Sequence, residues 1–400
     1  MLRHEDYSSL PQGEVFRTLA PSSNLSSPCP DHIPYSVWKS LHRITPSLLP
    51  SLLDPLLAHG FHPPSPKKAL GIVLDKPGKP GYNFPSCFSV IVLLLTLPNI
   101  LKRIAALRLS RQAVTGSLIY PLQCGFLPGR STVDATLVLQ QHVQSLHRLC
   151  HKVSTLFQDI KGGFDNVESS ILLSLLHRQG MSTYLIQWIS SFLRDRTCRL
   201  AFHGSPHTFA PVSVGIPQGS PISPLLLVMY MSSLHTDIAN CLTISYLDDF
   251  AVRVVSPSYR TNVPLLQRVF SALKRKVSPH NISFSIPKTE LMPWGTAREN
   301  QTPCCLPVDL EGQVFYPQNC LTWLALFFNL SFDPSAHFSH RLSLANGAFP
   351  TIRRLLPSGI GLPLHLCLTL IRFLLAPILL YGSAVWYPPP SSLDTMVAFL

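Results

Sequence analysis

The feature that constrains this chain most is a pair of strand-like runs, LTISY (242–246) and FAVRVV (250–255), separated only by Leu247, Asp248 and Asp249. Runs that close are joined as an antiparallel hairpin, since a parallel connection needs a crossover of a dozen or more residues. The hairpin tip is therefore acidic. A third acid, Asp159, follows another apolar strand candidate, VSTLF (153–157), so a sheet pairing these strands brings Asp159 and Asp248 to one edge. Two carboxylates about 4 Å apart repel by about 4 kcal/mol at an effective dielectric of 20, and such a site is usually neutralised by metal or protons. Magnesium accepts a few carboxylates plus substrate phosphates, which suits phosphoryl transfer by two metals.

The clustering stands out because the chain is basic. Lys and Arg number 32 against 20 Asp and Glu, for a net charge of +12, yet Asp159, Asp165, Glu168, Asp248 and Asp249 fall in two short segments. A basic chain in which only 13% of residues are charged points to a polyanionic partner. With 400 residues and 46% hydrophobic content, one large multi-lobed domain is expected. The ten cysteines form no CxxC pair, so neither a disulfide frame nor a zinc knuckle is indicated, and an intracellular, reducing compartment is expected. Leu366 to Trp386 is apolar but carries Arg372 and Pro377 centrally, which favours a buried helix pair over a membrane span.

Along the chain, residues 1 to about 35 read as an extended Ser/Pro-rich lead-in, with helical spacing from Tyr35. A breaker-rich FHPPSPKK precedes the strand candidate ALGIVL and the basic loop DKPGKPGYNFP. Apolar residues at 185, 188, 189, 192 and 193 trace one helical face, with Ser182 or Thr183 as cap. CRLAF (198–202) and FAPVSV (209–214) read as a hairpin, and Ser220 with Pro221 as the start of a helix to about Leu234. Beyond Arg298 helical periods are expected to return, and the pattern LDTMVAFL at the end carries no cap, so the chain reads as cut.

Taken in order, LFQDIKGGFDNV (156–167), VGIPQGSPISPLLLVMY (214–230), SYLDDF (245–250) and FSIPKTELM (284–292) resemble motifs A to D of reverse transcriptases from non-LTR, LINE-type retrotransposons, most closely fungal ones. The likeness extends to LDKPGKPG…FSVIVLL, to QCGFLPGRSTVDA (123–135) and to LANGAFPTIRRL (344–355). It implies an α+β right-hand polymerase fold: an N-terminal extension (1–56), helical and loop fingers (57–150), an antiparallel-sheet palm (151–300), then a connection and partial helical thumb (301–400). The implied activity is that of an RNA-directed DNA polymerase with Mg²⁺ or Mn²⁺, an RNA template, a DNA primer and dNTPs, in the nucleus or cytoplasm and without a membrane.

Residue by residue, the resemblance implies that Asp159 and Asp248 are the main metal ligands, with Asp249 beside them and the Ile160 carbonyl assisting. Gly162 and Gly163 would offer amides to the triphosphate, and Phe164 would exclude a ribose 2′-hydroxyl. Pro217, Gln218 and Gly219 would line the incoming sugar and base, while Lys288 and Lys76 would approach the phosphates. Other readings stand beside these. Asp165 and Glu168 suit the first turn of a following helix, Phe164 suits a core, and Lys274, Arg275 and Lys276 suit a solvated helix face, although Arg353 and Arg354 lie where duplex backbone would pass.

The chain also departs from the pattern. Where the family has a second finger Arg it carries Ser89, the WLG turn reads Trp323, Leu324, Ala325, and Leu247 stands where Ala or Val is commoner. Cys124 and Leu127 replace Phe and Arg. Such losses leave a second reading open: a non-catalytic nucleic-acid-binding remnant.

Overall fold

The computed structural model describes residues 7–24, 32–64, 67–76, 81–84, 87–93, 95–202, 205–206, 208–235, 238–295, 306–354 and 363–386. In chain order these form α1 (Gln12–Leu19), α2 (Tyr35–Ile44), α3 (Leu48–Ala58), β1 (Lys68–Asp75), β2 (Phe88–Leu93), α4 (Thr96–Thr115), α5 (Thr132–Arg148) and β3 (Lys152–Asp159). Then follow α6 (Ser169–Arg178), α7 (Thr183–Leu193), β4 (Arg196–Phe202), β5 (Ser205–Pro206), β6 (Ala210–Val212), α8 (Ser223–Ser232), β7 (Cys241–Tyr246), β8 (Asp249–Ser256) and α9 (Tyr259–Val277). Short strands β9 (Glu290–Trp294), β10 (Val308–Leu310), β11 (Gln313–Phe315), β12 (Cys320–Trp323) and β13 (Leu326–Asn329) precede a helix, Ser335–Arg354. The chain divides into two compact units, one of residues 1–127, 160–235 and 275–283, the other of 128–159, 236–274 and 284–400.

In the first unit, β2, β1, β4 and β5 form a sheet with β6 also on β4; β1 pairs antiparallel with β2 and parallel with β4. The apolar face of α7 buries Leu185, Trp188, Ile189, Phe192 and Leu193, the periodic set expected. Ser182 is the N-cap residue there but makes no capping bond; its backbone N–H donates instead to Gln112 Oε1. The lead-in expected to be extended holds α1, which buries Val15 and Leu19. What fixes it is Glu14, whose carboxylate takes two hydrogen bonds from the Arg108 guanidinium with both side chains 6% exposed. A partner 94 residues away leaves no local pattern to read.

The second unit is built on an antiparallel sheet in the order β7, β8, β3, β9. Central β3 is buried along nearly its whole length. On one face Phe157 packs against Trp294 and Trp323, and on the other Phe250 meets Phe284, which also meets Phe270 of α9. Asn262 of α9 donates to Lys152 O and Ser154 Oγ, tying helix to sheet.

Three further expectations differ. The helix expected from Ser220 begins at Ser223, with Pro224 in its first turn, because Ser220 is consumed in a tight turn: its N–H donates to Pro217 O and its carbonyl accepts from Ser223. Where the described residues resume at 306, helix does not come first: two hairpins stand among residues 308–329, each closed by two residues of positive φ, Glu311 and Gly312, then Leu324 and Ala325. Leu366 to Trp386 is not a buried pair but a run of short helical turns that leaves Leu368, Phe373 and Leu380 exposed, since its apolar residues encircle the axis. Among the described residues no helix is long and apolar enough to cross a membrane, and no cysteine pair is bonded.

The second hairpin carries a prediction. Two successive left-handed residues favour Gly at the turn, and an L-residue there costs roughly 1–2 kcal/mol. Ala325, at φ +62°, bears that cost. Ala325→Gly is expected to stabilise the protein by about 1 kcal/mol, after the extra freedom Gly gives the unfolded chain. A urea titration checks this through a raised midpoint; an unchanged or lowered midpoint contradicts it.

Candidate active site

In the second unit the register of β3 on β8 sets Asp159 directly opposite Asp249, the last pair of the ladder. Asp248 lies between β7 and β8 in a two-residue turn with Leu247, whose φ is +56°. Sheet register alone thus gathers the three acids. The hairpin expected from the sequence and the predicted shared edge are both present.

Lys288 reaches the same edge by another route. Pro287 is the second residue of a 3-10 turn, Ile286–Lys288, that hands over to β9, and β9 pairs with β3 up to Phe157 and Glu290. The turn is pinned by Ser285 N–H donating to Asp159 O at 2.7 Å, and the Lys288 ammonium sits 2.8 Å from Asp159 Oδ2.

The electrostatics follow from this crowding. Burial, then the Asp248 charge and then Asp159, push the Asp249 carboxyl up to about 7, with Lys288 acting against them. Burial is also the main cause raising Asp248, Asp159 adds to it, and the Asp248 backbone N–H and Lys288 oppose. Among the described residues no group of three or more His, Cys, Asp or Glu side chains is closed around a metal position; Asp159 instead accepts from Lys288. The donor set nevertheless fits a hard divalent cation, because carboxylate oxygens are hard ligands and those of Asp248 and Asp249, held at raised proton affinity, gain from a cation at their edge.

A pH dependence follows. A carboxyl raised from 3.8 to about 7 on folding keeps a proton that the unfolded chain gives up, so Asp249 costs stability as pH climbs through that window. A divalent cation held at this edge would offset the cost above pH 7. The rise in melting temperature on adding Mg²⁺ should be larger at pH 8 than at pH 5.5, and Asp249→Asn should flatten the difference. Equal rises at both pH values in the native chain contradict it.

The other positions expected to bear on the nucleotide, Ile160, Gly162 to Phe164, Pro217 to Gly219 and Lys76, lie in the first unit. Ile160 follows Asp159 and is buried, Gly163 is buried, and Gly162 is exposed at φ +63° with its carbonyl accepting from Asn166 N–H. Phe164 is half-buried, and its carbonyl accepts from Ile216 N–H at 2.8 Å. Gln218 O accepts from Val92 N–H at 3.0 Å, and Gly219, at φ +105°, lies so close to β2 that a Cβ would sit 2.7 Å from Val92 O. The Pro217–Gly219 loop is thus held against β2. Lys76 follows β1, its N–H donating to Cys87 O and its carbonyl accepting from Tyr82 Oη. Ser89 on β2 pairs with Leu74. Glu168 is the N-cap residue of α6, as a first-turn acid nearly would be, whereas Asp165 lies outside that turn. The side chains of Arg353 and Arg354 and residues 77–80 of the basic loop are outside the described residues. Lys274 is exposed and pairs with Glu311, as a solvated face would, and Lys276 donates to His235 O.

Sequence reading missed Arg196. Buried at the start of β4, it donates to Leu193 O and, at 2.7 Å, to Gly215 O, and so fixes the loop entering Pro217. Nothing in its neighbourhood signals that role. Gly215, at φ +80°, was the available clue, a glycine followed by Ile and Pro.

With this geometry, residues 79–321 match the family model described as reverse transcriptase (RNA-dependent DNA polymerase), and the chain belongs to that family. Within it, the chain groups with elements of the non-LTR class. It is 25% identical over 90% of its length to a probable RNA-directed DNA polymerase from transposon BS of Drosophila melanogaster, 24% over 93% to one from the X-element, and 25% over 84% to that of mobile element jockey. The chain spans about 40% of the length of these relatives (40%, 41% and 37%). All three are fly elements, and the expected fungal affinity is not shown. A solved telomerase of Candida tropicalis aligns at 14% identity and TM-score 0.46, over 75% of this chain and 60% of that one, a likeness from which nothing is drawn.

Proposed function

We propose that the chain is an RNA-directed DNA polymerase of a retrotransposon, extending a primer 3′-hydroxyl with dNTPs on an RNA template. The observation that carries this reading is the acidic edge: Asp159 opposite Asp249, Asp248 in the adjoining turn and Lys288 against Asp159. On this reading the α+β fold is a right-hand polymerase, with fingers at about 57–150, palm at 151–300, and a connection and partial thumb over 301–400.

Asp159, Asp248 and Asp249, with the Ile160 carbonyl, would hold Mg²⁺ or Mn²⁺. Bound there, the metal supplies a Lewis acid that lowers the pKa of the attacking hydroxyl and stabilises the pyrophosphate leaving group. Lys288 pairs with Asp159 and would lie near the phosphates of a bound nucleotide. Gly162 and Gly163 amides and Lys76 bear on the triphosphate, the Pro217–Gly219 loop lines sugar and base, and the half-buried Phe164 excludes a 2′-hydroxyl. The net charge of +12 suits the template and primer backbones.

The second reading, a non-catalytic remnant, is favoured by Ser89, which offers a hydroxyl where the family presents a cation. A charge-assisted hydrogen bond is worth about 1.5 to 3 kcal/mol, or roughly 10- to 150-fold in nucleotide binding or rate. Extension by the native chain should therefore be weak at low dNTP and recover at high dNTP, and Ser89→Arg should restore a large part of the deficit. Primer extension across a dNTP titration decides: a gain confined to low dNTP supports the polymerase, and no product from either chain supports the remnant.

A further inference from the structure

Tyr230 of α8 is wholly buried, and an apolar position of that kind would be filled as well by Phe. A hydroxyl taken out of water is costly unless it is bonded. Here it is bonded twice, to backbone groups from distant parts of the first unit: Tyr230 Oη donates to His280 O at 2.7 Å and accepts from Glu168 N–H at 3.5 Å. Burial, foremost, pushes the hydroxyl up, so it keeps its proton and can donate at neutral pH. The ring also stands edge-on to the His280 imidazole, at a centroid distance of 5.4 Å.

Both partners control the loop 161–168. Glu168 is the far end of that loop and the N-cap residue of α6. His280 closes a 3-10 turn, Ser278–His280, and its Nδ1 lies 2.8 Å from Lys276 O. Left-handed Asn281, at φ +54°, then leads into a short strap, and Ser283 O accepts from Lys161 N–H at 2.9 Å. One hydroxyl therefore bears on the loop at its two ends, directly at Glu168 and through the strap at Lys161. Between those ends the loop carries Gly162, Gly163 and Phe164, whose carbonyl bond from Ile216 N–H fixes its middle.

Resting on the polymerase reading given above, we infer that Tyr230 is a positioning residue for the incoming nucleotide, its hydroxyl holding both ends of the loop 161–168 so that Gly162, Gly163 and Phe164 keep their places at the triphosphate and sugar. It touches no substrate. Its effect passes through His280, the strap and Glu168, and a small displacement of groups that orient a substrate is enough to weaken their action.

Two measurements test this without turnover: hydrogen exchange of the nucleotide-free chain, read by mass spectrometry, and equilibrium binding of dNTP and rNTP to its complex with a template and a dideoxy-terminated primer. In Tyr230→Phe, which keeps the ring, exchange over residues 161–168 should quicken by about tenfold, the scale of one buried hydrogen bond, while β3 keeps its native protection. The dNTP Kd should rise by about tenfold, and the preference for dNTP over rNTP should shrink. A glycine inserted after Asn281 slackens the strap and keeps Tyr230; it should reproduce the loosening at Lys161 and stands in where Tyr230→Phe does not fold. Tyr259→Phe is the comparison, since that hydroxyl is also buried and donates to a backbone carbonyl, Trp294 O, but in the second unit. Its loss should leave exchange over 161–168, dNTP Kd and sugar preference native.

Native exchange over 161–168 in Tyr230→Phe overturns the inference. So does quickened exchange with native Kd and sugar preference, or an equal effect of Tyr259→Phe. A native chain that binds dNTP without extending a primer contradicts the polymerase reading and leaves this test intact, whereas one that binds no dNTP overturns both.

Discussion

Asp248→Asn should lower metal-dependent primer extension by on the order of 10²- to 10³-fold or more, the scale on which removal of one preorganised electrostatic group registers. The substitution preserves shape in a turn of only two residues, so the loss would be one of charge and not of fold. It should also raise the metal-free protein's stability at pH 8, because burial and Asp159 both raise the Asp248 carboxyl and the charged form is therefore the strained one. Rate and melting temperature should thus move in opposite directions. Asp165→Asn should change extension by less than about threefold, since Asp165 is exposed and lies outside the acidic edge. Extension by the Asp248→Asn chain at near the native rate sinks the metal assignment.

Gly215→Ala should be the most destabilising of the conservative changes considered. Gly215 sits at φ +80°, and a Cβ there would lie 2.7 Å from Asp165 O and 3.0 Å from both Asp165 Cα and Phe164 O, all backbone atoms that have no rotamer by which to retreat. The left-handed conformation alone costs an L-residue roughly 1–2 kcal/mol, and the overlap forces the loop off its bonds from Arg196 and to Val167 O. A loss of about 3 kcal/mol or more is expected, or roughly 6–12 °C in Tm for a unit of this size. The same shift would displace Pro217 to Gly219 from β2, so dNTP affinity should fall with stability. A variant within 2 °C or so of the native Tm contradicts the packing described.

How much of this was legible beforehand depended on whether the signal was local. The LTISY and FAVRVV runs and the two acids between them are read in a window of about a dozen residues, and the β7–β8 turn follows directly. Asp159 was placed correctly because strand register converts a sequence position into a position on an edge. What sequence could not supply was long-range pairing. Glu14 with Arg108 turned an expected loose lead-in into a packed helix, and Arg196 with Gly215 anchored a loop whose own residues announce only flexibility. Ser220 and Pro221 carried a sound N-terminal signal that a tight turn overrode by three residues. In residues 308–329 Glu311 with Gly312 spoke for a hairpin but Leu324 with Ala325 did not, and strands of three or four residues are too short to be told from helix by period. The interleaving of the two compact units from three segments each is likewise invisible to a reading in contiguous spans.

The most direct test of the central claim is single-nucleotide extension of a DNA primer on an RNA template, with Mg²⁺ present or chelated and with dNTP or rNTP. The acidic edge, Lys288 and the half-buried Phe164 together predict product with Mg²⁺ and dNTP, none after chelation, and much less with rNTP. Full-length binding of the primer and template with no product at saturating dNTP, in both the native and Ser89→Arg chains, would contradict it and leave a nucleic-acid-binding remnant.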